Sequence, residues 1–171
     1  EFLNNMGLAS RINDDPNLAT IEQHTSYYTY TLTIDLSRVG IDGEVEIDNN
    51  DKANRVNQLL EVTKFLNREI RGRQENLSPL FIIGGIYPIP NPFFLGRISL
   101  IENNQTSLNL EPIKDTLETS VFGDSIKDLT KIGYVSGTFS NENEIKKLDN
   151  IMSVDEFYGA LMEQVNRYYG V

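Results

Sequence analysis

Positively charged side chains cluster in the middle of this sequence, although the chain as a whole is acidic. The 171 residues carry a formal net charge of −10, yet the stretch 52–97 contains seven basic and three acidic residues. Its candidates for contacting phosphate are Lys64, Arg68, Arg71, Arg73 and Asn76. At about 100° per residue, the first three share one face of a predicted helix, and the other two follow in a loop. Arginine presents a planar fork of donors that suits phosphate, so the cluster predicts a polyanion site, with a solvated helix face as the alternative.

Tyr27, Tyr28 and Tyr30 could stack on nucleotide bases, as strand aromatics do in proteins that bind single-stranded RNA. Tyr28 and Tyr30 share their parity with Leu32 and Ile34, which places them on the apolar face of a predicted strand. Tyr27 lies on the opposite face. We therefore predict that Tyr27 contacts RNA and that Tyr28 and Tyr30 belong to the core.

Residues suited to catalysis are sparse. The sequence contains one histidine, His24, and no cysteine, and no nucleophile motif accompanies the histidine. It has no phosphate-binding loop and no metal-ligand spacing, and Gly84-Gly85 is not a dinucleotide-binding fingerprint. Acidic residues are numerous, which keeps a carboxylate hydrolase as one alternative, but their spacing singles out no pair. We predict that the chain is not an enzyme and that it uses no metal or cofactor.

Hydrophobic periodicity predicts a mixture of strands and helices around these residues. Tyr28–Leu36 alternates as a half-buried strand, and apolar residues at helical spacing from Val56 to Ile70 predict a helix over Asp51–Arg71 that Gly72 ends. Further strands are predicted at Leu80–Ile83, Arg97–Ile101 and Ile132–Phe139, and further helices at Asp115–Lys131 and from the capping box Ser153–Glu156 to Tyr169. This order fits an α+β fold of the ferredoxin-like type, an antiparallel sheet with helices packed on one face.

The bulk composition fits a single domain over residues 1–171, since 39% of the residues are apolar and 23% are charged. No apolar run approaches the roughly 18 residues of a membrane span, and no secretory signal is visible. We expect a cytoplasmic protein with no membrane partner. Because the sequence opens at Glu1-Phe2 without an initiator methionine, we also expect it to be part of a longer chain.

The stretch Phe65–Tyr87, followed by Asn91–Phe94, carries the most specific signal in the sequence. It reads FLNREIRGRQENLSPLFIIGGIY and then NPFF, and the earlier segment Tyr27–Gly40 ends in IDLSRVG. These segments resemble the backbone subunit of type I CRISPR interference (Cascade) complexes, in the DevR branch of that family. The resemblance is specific over Tyr27–Phe94 and looser towards the C-terminus.

The resemblance implies a modified RNA-recognition-motif fold that polymerises along a guide RNA and does not itself cleave nucleic acid. Copies would contact one another and other subunits of the complex, and the guide would recognise target DNA by base pairing. The family's usual chain has a substantial N-terminal part that makes much of the guide contact, so this chain is expected to be the C-terminal portion. An alternative from another class is a ferredoxin-like regulatory or protein-interaction module without nucleic acid, which the net acidity favours and the basic centre disfavours.

Overall fold

Five α-helices and thirteen short strands form the described part of the chain, which comprises residues 2–6, 18–22, 26–70 and 72–171 of a computed structural model. The helices are α1 (Asn49–Lys64), α2 (Glu111–Leu117), α3 (Ile126–Leu129), α4 (Glu142–Ile145) and α5 (Val154–Tyr169), and a 3-10 turn covers Leu36–Arg38. The strands are β1 (Phe2–Met6), β2 (Leu18–Glu22), β3 (Ile41–Asp42), β4 (Val45–Glu46), β5 (Asn67–Ile70), β6 (Arg73–Asn76), β7 (Phe81–Gly85), β8 (Leu100–Ile101), β9 (Asn104–Leu108), β10 (Ser120–Val121), β11 (Asp124–Ser125), β12 (Thr130–Tyr134) and β13 (Ile151–Ser153).

The two long helices, α1 and α5, begin at side-chain caps. The Asp48 carboxylate accepts a hydrogen bond from the Asp51 backbone N–H at 2.8 Å, which satisfies one of the free donors of the first turn. Ser153 and Glu156 form the predicted capping box at the start of α5. That helix ends at Gly170, whose φ of 75° is the left-handed conformation that glycine adopts without strain.

The central sheet has three strands in the order β13-β12-β7, with β12 parallel to β13 and antiparallel to β7. Its side chains alternate between two apolar cores, because successive residues of a strand point to opposite faces. Ile82 of β7 joins the core that contains α1 and α5, whereas Phe81 and Ile83 join the other core. Gly133 of β12 leaves room for α5, since a Cβ there would lie 2.8 Å from the Cβ of Phe157.

Each face of the sheet has its own set of buried residues. On the α1–α5 face these are Ala53, Val56, Leu60, Phe157, Tyr158, Val165 and Tyr169. On the opposite face, the strands β9 and β12, the helices α2, α3 and α4, and the adjoining loops contribute Phe94, Leu108, Leu110, Ile113, Leu117, Ile126, Ile132, Tyr134, Phe139 and Ile145. The α+β class is confirmed, and the arrangement is compatible with a ferredoxin-like or RNA-recognition-motif fold in which both long helices lie on one face.

Three predicted elements differ in the structure. The helix predicted over Asp51–Arg71 ends at Lys64, and β5 and β6 form an antiparallel hairpin in place of its last turns. Tyr28–Leu36 forms no strand in the structure: residues 28–35 have no regular secondary structure and Leu36 begins the 3-10 turn, so the predicted place of this segment in the sheet is wrong. The helix predicted over Asp115–Lys131 is replaced by α2, the β10–β11 hairpin and α3.

The other predicted strands are present with different lengths. Leu80–Ile83 corresponds to β7, which is one residue longer, and Ile132–Phe139 corresponds to β12, which is shorter. Only the last two residues of Arg97–Ile101 are paired, in β8. Buried Phe139 still joins the core through its ring, which meets that of Phe81 edge to face at a centroid distance of 6.3 Å.

Glu142 at the start of α4 gives the fold a pH-dependent contribution. Lys146 donates a hydrogen bond to this carboxylate at 2.8 Å, the Gly137 N–H donates at 3.0 Å and the Tyr134 hydroxyl donates at 3.1 Å. Together they lower the pKa of Glu142 from 4.5 to about 2. Because the folded state holds the lower pKa, the contribution is complete above about pH 4.5 and is lost as pH falls towards 2.

Replacing Glu142 with glutamine is therefore expected to lower the melting temperature at neutral pH and to make its decline between pH 4.5 and 2 shallower than in the wild type. Thermal unfolding across that range measures both effects. Glu144→Gln is the matched control, because Glu144 lies on the same short helix and is exposed. If the melting temperature of Glu142→Gln fell with pH in parallel with that of the wild type, the stabilising role given to the Glu142 carboxylate would be contradicted.

Candidate nucleic-acid interface

An open groove of about 2290 Å³ is lined by three sets of described residues. The lining residues of segment 26–37 are here called its first wall, and those of the β5–β6 hairpin with the loop that follows are called its second wall. The remaining lining, called its floor, is largely apolar and comes chiefly from β7, the proline-rich loop at 88–92, α1 and α5. Small-molecule pockets typically enclose about 300–1,000 Å³, so a groove of this size and openness suits an extended ligand better than a compact one.

Tyrosines dominate the first wall. Tyr27 lines the groove, and its ring lies 6.3 Å from the ring of buried Phe139 at an interplanar angle of 34°. Packing against Phe139 positions the Tyr27 ring while 46% of the side chain remains exposed. A ring held in this way offers a surface on which a nucleotide base can stack.

Tyr28 and Tyr30 also line the groove, and they are 66% and 52% exposed. The prediction that these two side chains belong to the core is therefore wrong. Partial burial against the groove raises the pKa of Tyr30 above its usual value. The signal that could have identified them was the residue type, since three of the four residues 27–30 are tyrosine, which is fully buried less often than Leu, Ile or Phe.

Arginines lie on the second wall. Arg68 of β5 and Arg73 of β6 both line the groove, which brings them to the same opening as the tyrosines. Arg68 is exposed, and it forms no ion pair within the part of the chain that the structure describes. Glu75 is directly opposite Arg68 in the hairpin register. Its carboxylate can therefore compete with a phosphate for the Arg68 guanidinium.

Asn76 closes the hairpin side of the groove. Its side-chain oxygen accepts a hydrogen bond from the Ser78 N–H at 2.9 Å, which holds the amide in place and leaves its NH₂ group as a donor. The carboxylates of Asp35, Glu75 and Glu102 line the groove as well. The lining is therefore not uniformly basic, and positive charge is confined to the hairpin.

Lys64 does not belong to this site. It is the last residue of α1, and its ammonium group forms an ion pair with Asp155 in the first turn of α5. The ammonium also lies 5.2 Å from the centre of the Phe65 ring. The hydrogen bond to Asp155 raises the pKa of Lys64. The charged side chain therefore links the two long helices and is not available as a phosphate ligand.

The predicted helix face that joins Lys64, Arg68 and Arg71 is wrong, because the chain changes from helix to hairpin after Lys64. Arg71 and His24 lie outside the described residues, and no contact is assigned to either. Four of the six side chains predicted to contact RNA nevertheless line the one groove: Tyr27, Arg68, Arg73 and Asn76.

The described ranges contain neither a cluster of metal ligands nor a membrane-spanning helix. No group of three or more His, Cys, Asp or Glu side chains in those ranges could hold a metal ion. Among the helices described, none is both long enough and apolar enough to cross a membrane.

Comparison with known proteins identifies the family. Residues 3–103, more than half of the chain, match the model of the family described as CRISPR-associated negative auto-regulator DevR/Csa2. No curated protein and no solved structure shows significant similarity to the chain. The match covers all four predicted side chains that line the groove, together with most of its floor. The chain belongs to the DevR/Csa2 family of CRISPR-associated proteins.

Proposed function

We propose that this chain is a non-catalytic, RNA-binding backbone subunit of a type I CRISPR interference complex. Copies polymerise along the guide RNA in the cytoplasm, contact other subunits, and present the guide for pairing with target DNA. The observation that carries the proposal is the groove, which is lined both by exposed tyrosines and by Arg68, Arg73 and Asn76 of the hairpin. Membership of a CRISPR-associated family supports the same function.

The chemistry of the two walls suits single-stranded RNA. Base–aromatic stacking contributes about 1–3 kcal/mol per base and tolerates any sequence, because every base has a π-face. Arginine forks and an amide donor can hold the phosphate backbone without reading bases. A subunit of this kind leaves sequence recognition to base pairing, as a guide-based complex requires.

The net charge of −10 is compatible with this proposal, because phosphate responds to local charge within roughly 8 Å at physiological ionic strength. Positive charge at the hairpin and the aromatic surface of the same groove would bind one short stretch of RNA per copy. Polymerisation would then add the contributions of successive copies along one RNA.

Purification from the source organism tests the proposal directly. The ratio of absorbance at 260 and 280 nm should show copurifying nucleic acid, and sequencing should identify short RNAs that share CRISPR repeat fragments. Labelled RNA and DNA incubated with the pure chain and magnesium or manganese should remain intact. Cleavage that disappears in carboxylate variants would contradict the non-catalytic part of the proposal.

The second candidate is a regulatory or protein-interaction module without nucleic acid. The family description contains the words negative auto-regulator, and three carboxylates line the groove, which are the observations that favour it. Protein that purifies free of RNA, and that fails to bind unrelated RNAs at low salt, would support this candidate and overturn the first.

A further inference from the structure

Phe122 is an aromatic residue whose side chain makes little contact with the rest of the described chain. It lies at the tip of the β10–β11 hairpin and is 84% exposed. Its φ is 55° and that of the next residue, Gly123, is 94°, so the two form a tight hairpin turn with left-handed backbone at both positions. Asn or Asp would occupy the first position with less strain than Phe does. A strained backbone that presents an unburied aromatic ring indicates a role outside the fold of the single chain.

The base of the hairpin that carries this ring is anchored to the fold. Val121 packs against the buried core next to the sheet, and Ile126, immediately after β11, is fully buried. The Ile126 N–H donates to the Thr119 carbonyl at 2.9 Å, which closes the base of the hairpin. The backbone at the tip is therefore ordered, and an anchor on an ordered backbone loses less entropy on binding a protein.

The surroundings of Phe122 are acidic. Asp124 and Glu118 are exposed on either side of the turn, and the nearby Lys127 is paired with Asp149 at 2.7 Å. Carboxylates repel phosphate, so these surroundings disfavour nucleic acid as the partner of the ring. They favour a protein surface that combines apolar area with positive charge.

The outer face of α1 has those properties. Leu59, Val62 and Phe65 recur at three-residue steps and are 40%, 61% and 60% exposed. Arg55 precedes this stripe on the same face, is exposed, and forms no ion pair among the described residues. Neither the stripe nor Phe122 lines the groove, so an interface between them leaves the groove open.

We infer that copies of this chain associate head to tail, with the Phe122 hairpin of one copy seated on the Leu59–Val62–Phe65 stripe of the next. Asp124 and Glu118 of the first copy approach Arg55 of the second, so charge and apolar area are both complementary. Two different surfaces meet in such an interface, and its repetition extends into a filament. The inference rests on the proposed function and deepens it, because it names the interface between successive copies along the RNA.

The absence of native cysteine allows a specific cross-linking experiment. A Ser120→Cys variant and a Gln58→Cys variant change exposed residues beside the ring and beside the stripe and leave both intact. The two variants are mixed after nuclease treatment and joined with a short bis-maleimide reagent. We expect the mixed 120–58 product to exceed both homodimers, and the pair Ser120→Cys with Tyr168→Cys, whose partner residue is 50% exposed on α5, to give background yield. Predominant 120–120 or 58–58 products, yields equal to the control pair, or a wild-type chain that sediments as a monomer up to its solubility limit would overturn the inference.

A second variant separates association from folding. Phe122→Asn removes the ring but relieves the left-handed strain, so its melting temperature should equal or exceed that of the wild type. Its self-association should weaken by about tenfold or more, as expected for a central aromatic anchor. Unchanged association would overturn the inference. Because nuclease-treated protein is used, failure here is independent of RNA binding. The 120–58 product supports the interface even if the protein purified from its source carries no RNA, and that absence of RNA would contradict only the proposed RNA function.

Discussion

Replacing Phe157 with alanine is expected to lower the free energy of unfolding by about 3–5 kcal/mol. Phe157 is 1% exposed and lies where α5 meets the central sheet. Its ring reaches within 4.0 Å of a Cβ built on Gly84, and its own Cβ fits against Gly133 only because that residue has no side chain. Two glycines under this residue have no side chains that could collapse into the space it leaves, so the cavity remains and the cost lies in the upper part of the usual range.

Chemical denaturation with parallel circular dichroism and fluorescence measures this change in stability. Tyr168→Ala is the matched control, since Tyr168 is an aromatic residue of the same helix that is half exposed, and it should change stability by less than about 1 kcal/mol. Equal effects of the two substitutions would mean that α5 does not pack on the sheet through Phe157.

Removing the arginines of the hairpin is expected to weaken RNA binding equally for unrelated sequences. A charge-assisted hydrogen bond contributes about 1.5–3 kcal/mol, so the removal of even one bond to phosphate lowers affinity about tenfold or more. In the double variant Arg68→Ala/Arg73→Ala, the slope of log affinity against log salt should become shallower by up to roughly 0.7 for each phosphate of single-stranded RNA that is no longer neutralised. Both arginines line the groove, which is the structural reason to expect a joint effect.

The control for this prediction is Lys147→Ala/Arg167→Ala, which removes the same charge from exposed positions outside the groove. It should preserve the salt slope, and any decrease in affinity should be small. Melting temperature and salt-dependent binding are measured on the same preparations. An unchanged slope in a well-folded Arg68→Ala/Arg73→Ala protein would show that the hairpin does not bind phosphate.

The parts of the fold that local chemistry determines were predictable from the sequence. The capping box of Ser153 and Glu156 specifies the start of α5, because both partners lie within four residues of each other. The apolar run after Pro79 specifies the strand β7 for the same reason, although its side chains are half-buried and not fully buried as predicted. Membership of the family was also predictable, since the long run Phe65–Tyr87 is far more specific than any single motif.

The end of α1 was not predictable, because a glycine in the sequence can mark either the end of a helix or the turn of a hairpin. Gly72 has a φ of 77°, which is equally compatible with a helix C-terminus and with the turn of the β5–β6 hairpin. The ion pair between Lys64 and Asp155 involves residues far apart in the sequence, so periodicity could not detect it. Gly123, with a φ of 94°, lies in the turn of the β10–β11 hairpin within the predicted helix over Asp115–Lys131. The sequence alone did not show that this glycine forms a turn.

The candidate site was predicted by residue type but not by geometry. Alternation over Tyr28–Leu36 indicates β-propensity, yet a strand also needs a neighbour to pair with, and the sequence does not name one. Here the segment lines the groove without pairing, and its end is joined to the core by the hydrogen bond that Tyr169 donates to the Leu36 carbonyl at 2.7 Å. The tyrosines are exposed because the segment lines the groove, and their alternation in the sequence does not determine which of them are buried.

The central claim is that RNA binds in the groove. Its most direct test is ultraviolet cross-linking of the ribonucleoprotein purified from its source, with the linked residues identified by mass spectrometry. RNA lying in the groove predicts nucleotide adducts on Tyr27, Tyr28 or Tyr30, and on the segment that contains Arg68, Arg73 and Asn76. Adducts confined to residues outside the groove, or a preparation without RNA to cross-link, would contradict the claim.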